Sequence, residues 1–419
     1  MTASSAVRSA RMSRREWILL ILLIASIFIN YIDRSNLSIA APLLQKELLL
    51  SPLQVGSLLS GFFWTYSLFQ LFGIAGWFAD RFPVSLVLAG GFLLWAAATI
   101  ATGLVSGFAG IYTARLFLGA GESLAYPCYS RIFATDLPQS HRGRANALLD
   151  AGSKLGPALG TFIGGLLLVH LGWRLFFVAI GAVSLVWLIP WLKFAPPSHS
   201  YSANEIQALP SIADILRLRS AWGSFLGHFC GNYFWFFLLT WIPSYLVNER
   251  GFSIGRMANI VSLAFVAVAA ATVLAGWISD RLIVRGCSPT RVRKTVVVSG
   301  LAVSSTILPV SFVSGSTTSV VLLILACMAF GTYTSNHWAI TQTLAGPLMA
   351  GRWTSLQNGI GNISGIIAPW LAGWIVEMSG SSKLAFVISA VIVLTGALMW
   401  GLVVGPVQEV PWGEHRERA

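Results

Sequence analysis

Twelve apolar stretches of about 20 residues follow one another along the chain, at 17–41, 52–79, 84–105, 109–133, 143–169, 174–194, 222–247, 255–279, 295–313, 317–345, 352–376 and 383–405. An α-helix of that length crosses the ~30 Å hydrocarbon core of a bilayer. Inside lipid the backbone must satisfy its own hydrogen bonds, which helices do. The expected fold is therefore all-α and polytopic, with twelve transmembrane helices. A composition that is 56% hydrophobic and 10% charged leaves little surface for a soluble alternative. The first span is too long for a signal-peptide core and no small-residue cleavage pattern follows it, so it is expected to stay in the mature protein.

The net charge of +12 suggests a nucleic-acid partner until the charges are placed. With both termini inside, 19 of the 27 Lys and Arg residues fall in cytoplasmic segments, from Arg8, Arg11, Arg14 and Arg15 to Arg416 and Arg418. Lys46, Arg174, Arg250, Arg256 and Lys383 fall outside, and Arg34, Arg115 and Lys154 lie within spans. That asymmetry is the positive-inside rule, so the basic excess reports topology and no nucleic-acid partner is expected. Cys128, Cys230, Cys287 and Cys327 form no CxxC pair and read as free, packing thiols. Most of the 17 tryptophans are expected at the membrane interfaces.

The longest break between spans, 195–221, begins Ala-Pro-Pro-Ser-His-Ser and separates six spans from six. It divides the chain into an N-tail (1–16), a first bundle (17–194), a linker (195–221), a second bundle (222–405) and a C-tail (406–419), with tails and linker cytoplasmic. Gly76-x-x-x-Asp80-Arg81 closes span two, and Gly276-x-x-x-Asp280-Arg281 closes span eight at an offset of 200 residues. Gly143-Arg144 and Gly351-Arg352 repeat at an offset of 208. Two such echoes imply two homologous six-helix halves. In each loop the glycine is expected to allow close helix approach, and the aspartate to accept from helix N-termini and arginines. Gly76, Asp80, Arg81, Gly276, Asp280 and Arg281 are assigned to a conformational latch.

Charges at membrane depth are the strongest functional signal. Span one carries Asn30-Tyr31-Ile32-Asp33-Arg34-Ser35-Asn36-Leu37-Ser38, and span four carries Arg115 and Glu122 before Tyr126-Pro127. A charge in the bilayer core costs at least ~2.5–3.5 kcal/mol, so each needs a partner, a wet cavity or a charged ligand. Asp33 and Arg34 point about 100° apart on one helix. Arg115 and Glu122 share a face but stand ~10 Å apart. The natural arrangement couples Arg34 or Arg115 with Asp33 or Glu122 across the two helices. Low dielectric favours the neutral form of a carboxyl group and a nearby arginine favours the charged form, so a pair that makes and breaks can move a proton. A purely structural ion-pair network is the alternative. In span five Lys154 lies ~16 Å deep and Asp150, four residues before it, can neutralise it; a structural pair and a contact to a substrate carboxylate stand equally.

The duplicated Gly-x-x-x-Asp-Arg loops resemble the major facilitator superfamily over essentially the whole chain. The first copy departs from the usual pattern, with Pro83 and Ser85 where a Gly and a basic residue are common. The runs in spans one and four resemble the anion:cation symporter family within it. That resemblance implies two pseudo-symmetric bundles and proton-driven uptake of organic anions. It implies Asp33 and Glu122 as proton carriers, Arg34 and Arg115 in anion binding or gating, and Tyr31, Tyr66, Trp338 and Asn358 lining a central cavity. Span five nearly matches the antiporter motif of drug exporters through Gly143, Gly152, Gly156, Pro157 and Gly160, but Thr161 replaces the last glycine. Helix packing and a bend are the expected role.

Asn232, Tyr233, Trp235, Asn336, Gln357 and Asn362 add polar or aromatic groups at depth, which suit a polyhydroxylated ligand as well as helix–helix bonding. Tyr31, Arg34, Tyr66, Arg115, Lys154, Asn232, Tyr233, Asn336, Trp338 and Asn358 are the candidate substrate contacts. His228 and His337 are expected to pack and not to carry protons. The substrate expected is a sugar acid (a hexonate, hexarate or hexuronate), with an aromatic carboxylate of the phthalate or hydroxyphenylacetate type as the alternative. An organophosphate exchanger is disfavoured because span seven holds no Arg or Lys. The short tails give no support to a nutrient sensor, and no P-loop or catalytic triad points to an enzyme. No cofactor beyond protons is expected. The expected setting is a bacterial inner membrane, as a monomer.

Overall fold

The structure, a computed structural model, describes residues 12–137, 139–195 and 212–412. Most of the linker and parts of both tails lie outside that set, as do the side chains of Asp80, Asp150 and the Arg144 and Arg352 of the Gly-Arg echo. The described residues are helical throughout, with no strand among them.

Helix α1 (Arg14–Glu47) forms span one. It starts at a capping box in which Glu16 N–H donates to the Ser13 hydroxyl and Ser13 N–H to the Glu16 carboxylate. Span two is split into α2 (Pro52–Leu71) and α3 (Ile74–Arg81), and α4 (Val84–Leu104) is span three. Span four is split into α5 (Gly107–Ser123) and α6 (Ala125–Asp136). Helix α7 (Gln139–Leu185) with α8 (Leu188–Phe194) makes spans five and six, turning at Gly172 (φ 69°). After the short α9 (Ile212–Leu216), α10 (Arg219–Asn248), α11 (Ile254–Val284) and α12 (Pro289–Ser304) are spans seven to nine. Helix α13 (Ser316–Ser379) holds spans ten and eleven with a turn at Gly346 (φ 61°), and α14 (Lys383–Leu398) is span twelve. Gly172 and Gly346 sit where only glycine turns the chain without strain.

Eight described segments are long and apolar enough to cross a membrane by themselves, and one of them contains both span five and span six. Spans two, four and seven complete the twelve. The first two are interrupted, at Gly73 and at Leu124, and all three carry the polar side chains of the central site.

Span one packs on span five, and span seven on span eleven, which is the same relation in each half. Between the halves, span two lies along span eleven and span five along span eight, again a pair related by the pseudo-twofold. Near the start of α2, Gly56 and Gly373 bring the backbones of spans two and eleven together: a Cβ on Gly56 would stand 3.1 Å from the Gly373 Cα. There the Glu377 carboxylate accepts from the Ser51 hydroxyl (2.5 Å) and the Leu53 N–H (2.9 Å) at the start of α2. Asn248 donates to Gln45 at 2.8 Å, and Ser262 to the Ala158 carbonyl at 2.8 Å. These contacts join the two halves on the side that carries the turns between spans one and two and between spans seven and eight.

Eight of the 17 tryptophans are buried, and several donate indole N–H groups across helices, as Trp187 does to Leu22 (2.8 Å) and Trp353 to Ser224 (3.0 Å). Two expectations are corrected. Cys287 is exposed in the α11–α12 turn, whereas Cys128, Cys230 and Cys327 pack as expected. Gly76 has no atom near the position a Cβ would take and Gly276 has Ser335 at an ordinary 3.6 Å, so neither marks a close helix approach. The start of the C-tail packs on the second bundle: Val410 N–H donates to the Leu344 carbonyl and Trp412 to the Ala345 carbonyl, against the turn at Gly346.

Candidate functional site

Arg34 of α1 and Glu122 of α5 meet across the first bundle, Nε to Oε2 at 2.8 Å, with both side chains almost wholly buried. This selects one of the pairings the sequence left open. Three aromatic rings enclose the guanidinium, with Tyr31 and Tyr66 at 4.6 Å and Phe62 at 5.0 Å. Such contacts hold a desolvated cation without neutralising it. The Arg34 Nη2 and the Glu122 Oε1 have no protein partner among the described residues. The pair is therefore half-satisfied on each side, which is what a site that also receives a ligand and a proton requires.

Arg115 is buried one turn and more from Glu122, over Phe62 at 5.7 Å, and its Nε is unpartnered. It lies within electrostatic reach of both Asp33 and Glu122 without a direct bond to either. Asp33 is buried, accepts from the Asn36 amide at 3.2 Å and has Thr99 of α4 beside it; its Oδ2 has no protein partner.

The second bundle supplies a neutral wall. Tyr333, His337 and His228 stack in turn at 4.7 and 4.9 Å, and Trp338 leans on both imidazoles at 4.8 Å. His337 Nδ1 lies 3.1 Å from the Thr334 carbonyl, which can only accept, so Nδ1 carries the proton. Asn232 Nδ2 donates to His228 Nε2 at 3.2 Å. Both rings are tied into this wall by their own hydrogen bonds.

Between the walls, Lys154 reaches from span five to the face of Trp235 at 5.7 Å. Asn358 donates to Gln70 at 3.2 Å across the halves, and Phe63 meets Phe236 at 4.4 Å. The structure thus brings together Tyr31, Arg34, Tyr66 and Arg115 on one side, Asn232 and Trp338 on the other, and Lys154 and Asn358 at the seam.

Two candidate contacts are not brought in. Asn336 is buried with its amide donating to Ser279 (3.0 Å) and Ser335 (2.7 Å), so it ties span ten to span eight. Tyr233 is buried among core rings. In the expected latch, Asp280 and Arg281 are exposed and Arg281 covers Trp277 at 4.0 Å; Arg81 is exposed, and the Asp80 side chain lies outside the described residues. Arg131 of α6, which the motifs did not single out, donates to the Ala79 carbonyl beside Asp80. Gly152, Gly156 and Gly160 of the antiporter-like run all face span one, at Ile27, Tyr31 and Ile32, which is helix packing. Gln70 and Glu377 were also missed; a glutamine near the end of an apolar span was the available signal.

Two related six-helix bundles packed around a buried ion pair define a membrane transporter. The chain belongs to the major facilitator superfamily, whose model matches residues 23–369, and within it to the anion:cation symporter group. It is 32% identical to the probable sulfoacetate transporter SauU of Cupriavidus necator, over 88% of this chain and 90% of that protein. It is 28% identical to the D-galactonate transporter of Escherichia coli (96% and 99%) and 29% to the hexuronate transporter of Bacillus subtilis (96% and 97%). The fold is also that of a bacterial homologue of the human lysosomal transporter Spinster, with TM-score 0.77 and 19% identity over 94% and 98% of the two chains. It is a membrane transporter and not an enzyme.

Proposed function

We propose that the protein imports a small organic anion together with protons, and that the anion is a sugar acid. The observation that carries this is the Arg34–Glu122 pair, buried at 2.8 Å with an unpartnered nitrogen on one side and an unpartnered oxygen on the other.

The coupling follows from charge balance in a dry site. With Glu122 ionised, Arg34 is held by it, and the empty carrier can reorient without an uncompensated charge. A proton on Glu122 releases Arg34, whose guanidinium fork then takes the substrate carboxylate. Anion and proton therefore enter together, and either one alone leaves a buried charge unpaired. Asp33, with one neutral donor at 3.2 Å, is the second proton carrier. Arg115 holds the field that draws both protons off again when the site opens inward. Asn232, Trp338 and Asn358 offer the amides and the aromatic face that a polyol chain needs once desolvated.

Lys154 at the seam supports a second reading of the ligand, a carboxylate carrying another anionic group. The relative named for sulfoacetate points the same way. Protons are the coupling ion in either case, the working unit is a monomer, and the orientation places both termini in the cytoplasm of a bacterial cell.

Proteoliposomes test the proposal directly, with labelled D-galactonate, D-galactarate, D-glucuronate, sulfoacetate and phthalate supplied with and without an inward proton gradient. Gradient-dependent accumulation of a sugar acid is the expected result. Accumulation of phthalate alone replaces the substrate class, and gradient-independent flux of every acid removes the coupling.

A further inference from the structure

We propose that protons leave Glu122 through a polar lane between spans one and four, separate from the cavity that holds the anion. This inference rests on Glu122 being a proton carrier.

Arg34, Asn30 and Ser26 are spaced i, i−4 and i−8, so they line one face of α1 and step toward its inner end. Glu122 and Tyr129 lie seven residues apart on span four and step the same way. The two stripes face each other. Glu122 bonds Arg34, Asn30 approaches Glu122, and Ser26 shares a hydrogen bond with the Tyr129 hydroxyl. From residue 34 to residue 26 the lane descends ~12 Å.

Asn30, Ser26 and Glu122 are 0% exposed and Tyr129 is 1% exposed. Both amide atoms of Asn30 nevertheless lack a protein partner within hydrogen-bond distance, as does Glu122 Oε1. A fully buried amide is hydrogen-bonded either to protein or to an ordered water. Asn30 interacts with Glu122 without reaching full hydrogen-bond geometry, so a water can bridge the amide and the carboxylate there.

Below it, the Ser26 and Tyr129 hydroxyls can each accept and donate. The rest of the interface is apolar: Leu22, Leu23, Ile27 and Ile132 are buried around the lane. Packing alone does not call for three polar residues in register there.

The step balances as a relay. The Glu122 carboxyl gives its proton to the water held by Asn30, and that water passes one of its own protons to Ser26. Ser26 passes a proton to Tyr129, the last polar group of the lane, and the buried Tyr129 hydroxyl hands one on to water once inward opening wets it. Every O–H bond is remade, one proton has moved inward, and the carboxylate left behind re-pairs with Arg34. Asn30 does not titrate; it positions the water.

The test follows the carboxylic-acid infrared band of the full-length protein in lipid after an upward pH jump, with no substrate present. Wild type is compared with Asn30→Leu, Asn30→Ser and Tyr129→Phe. Asn30→Leu and Tyr129→Phe are expected to slow loss of the band by about 10- to 100-fold, the scale of a positioned proton transfer. Asn30→Ser, which keeps room for water and a hydroxyl, is expected to restore most of the rate. Equal rates in all four proteins overturn the lane alone, and equal slowing in all three variants shows that packing was the cause. A wild type with no such band at any pH overturns the proton-carrier reading and the lane with it. Tyr129→Phe keeps the ring in place, so the result stands even if Asn30→Leu fails to fold.

Discussion

In the first half of the molecule the buried polar residues include Asp33, Arg34, Arg115, Glu122 and Arg131; in the second half they include His228, Asn336, His337, Gln357 and Asn362. Every buried aspartate, glutamate and arginine among the described residues therefore belongs to one bundle. The other bundle answers with hydrogen-bonded imidazoles, amides and an indole. The two halves share a plan of helix packing and cross-contacts, but their chemistry is not symmetric. In the function proposed above, charge coupling sits in the first bundle and the fit to an uncharged ligand body falls to the second.

The largest effect that would break this division is at Arg34. Arg34→Ala leaves Glu122 buried without its cation, which destabilises by roughly 3–5 kcal/mol. It also removes the anion anchor, so accumulation and substrate counterflow are both expected to fall by about 100-fold or more. Thermal unfolding and counterflow in proteoliposomes check the two parts. Arg34→Lys is expected to recover little, because an ammonium lacks the planar fork that grips a carboxylate with two bonds. Full counterflow in Arg34→Ala would move the anion site elsewhere.

A smaller effect sharpens the second half. His228→Leu leaves the Asn232 amide without its acceptor, at about 1–3 kcal/mol, so the KM for the imported acid should rise by about 5- to 100-fold. The pH profile of accumulation should keep its shape. A profile that shifts with this variant would place a proton carrier among the histidines and erase the division of labour.

The smallest expected effect lies at the outer closure, which belongs to both halves. Glu377→Gln weakens the cap on α2, and the surface setting limits the change in gate occupancy to roughly 2- to 5-fold. Labelling of a cysteine placed on the outer wall of the cavity reads that occupancy. A change confined to transport, with labelling unaltered, would detach Glu377 from the gate.

Much of this architecture was legible in the chain. Hydropathy marked twelve spans, the loop echoes marked two halves, and the charges at depth marked spans one and four. The breaks at Gly73 and Leu124 were not legible, because a local interruption does not alter an apolar window. Which arginine meets which carboxylate was also hidden: spacing gives the face a residue occupies on its helix, and not how two helices are rotated against each other. The same limit explains Asn336, whose polarity at depth read as a ligand contact and serves Ser279 instead. Glu377, Gln70 and Tyr129 acquire meaning only from partners 326, 288 and 103 residues away.

The measurement that bears most directly on the central claim compares two activities of Glu122→Gln in proteoliposomes, proton-driven accumulation and substrate counterflow. The amide mimics the protonated carboxyl and leaves Arg34 open to the anion. The account predicts that accumulation is lost while counterflow survives better than in Arg34→Ala. Equal loss of both activities, or undiminished accumulation, would contradict it and leave the buried pair a structural feature of the first bundle.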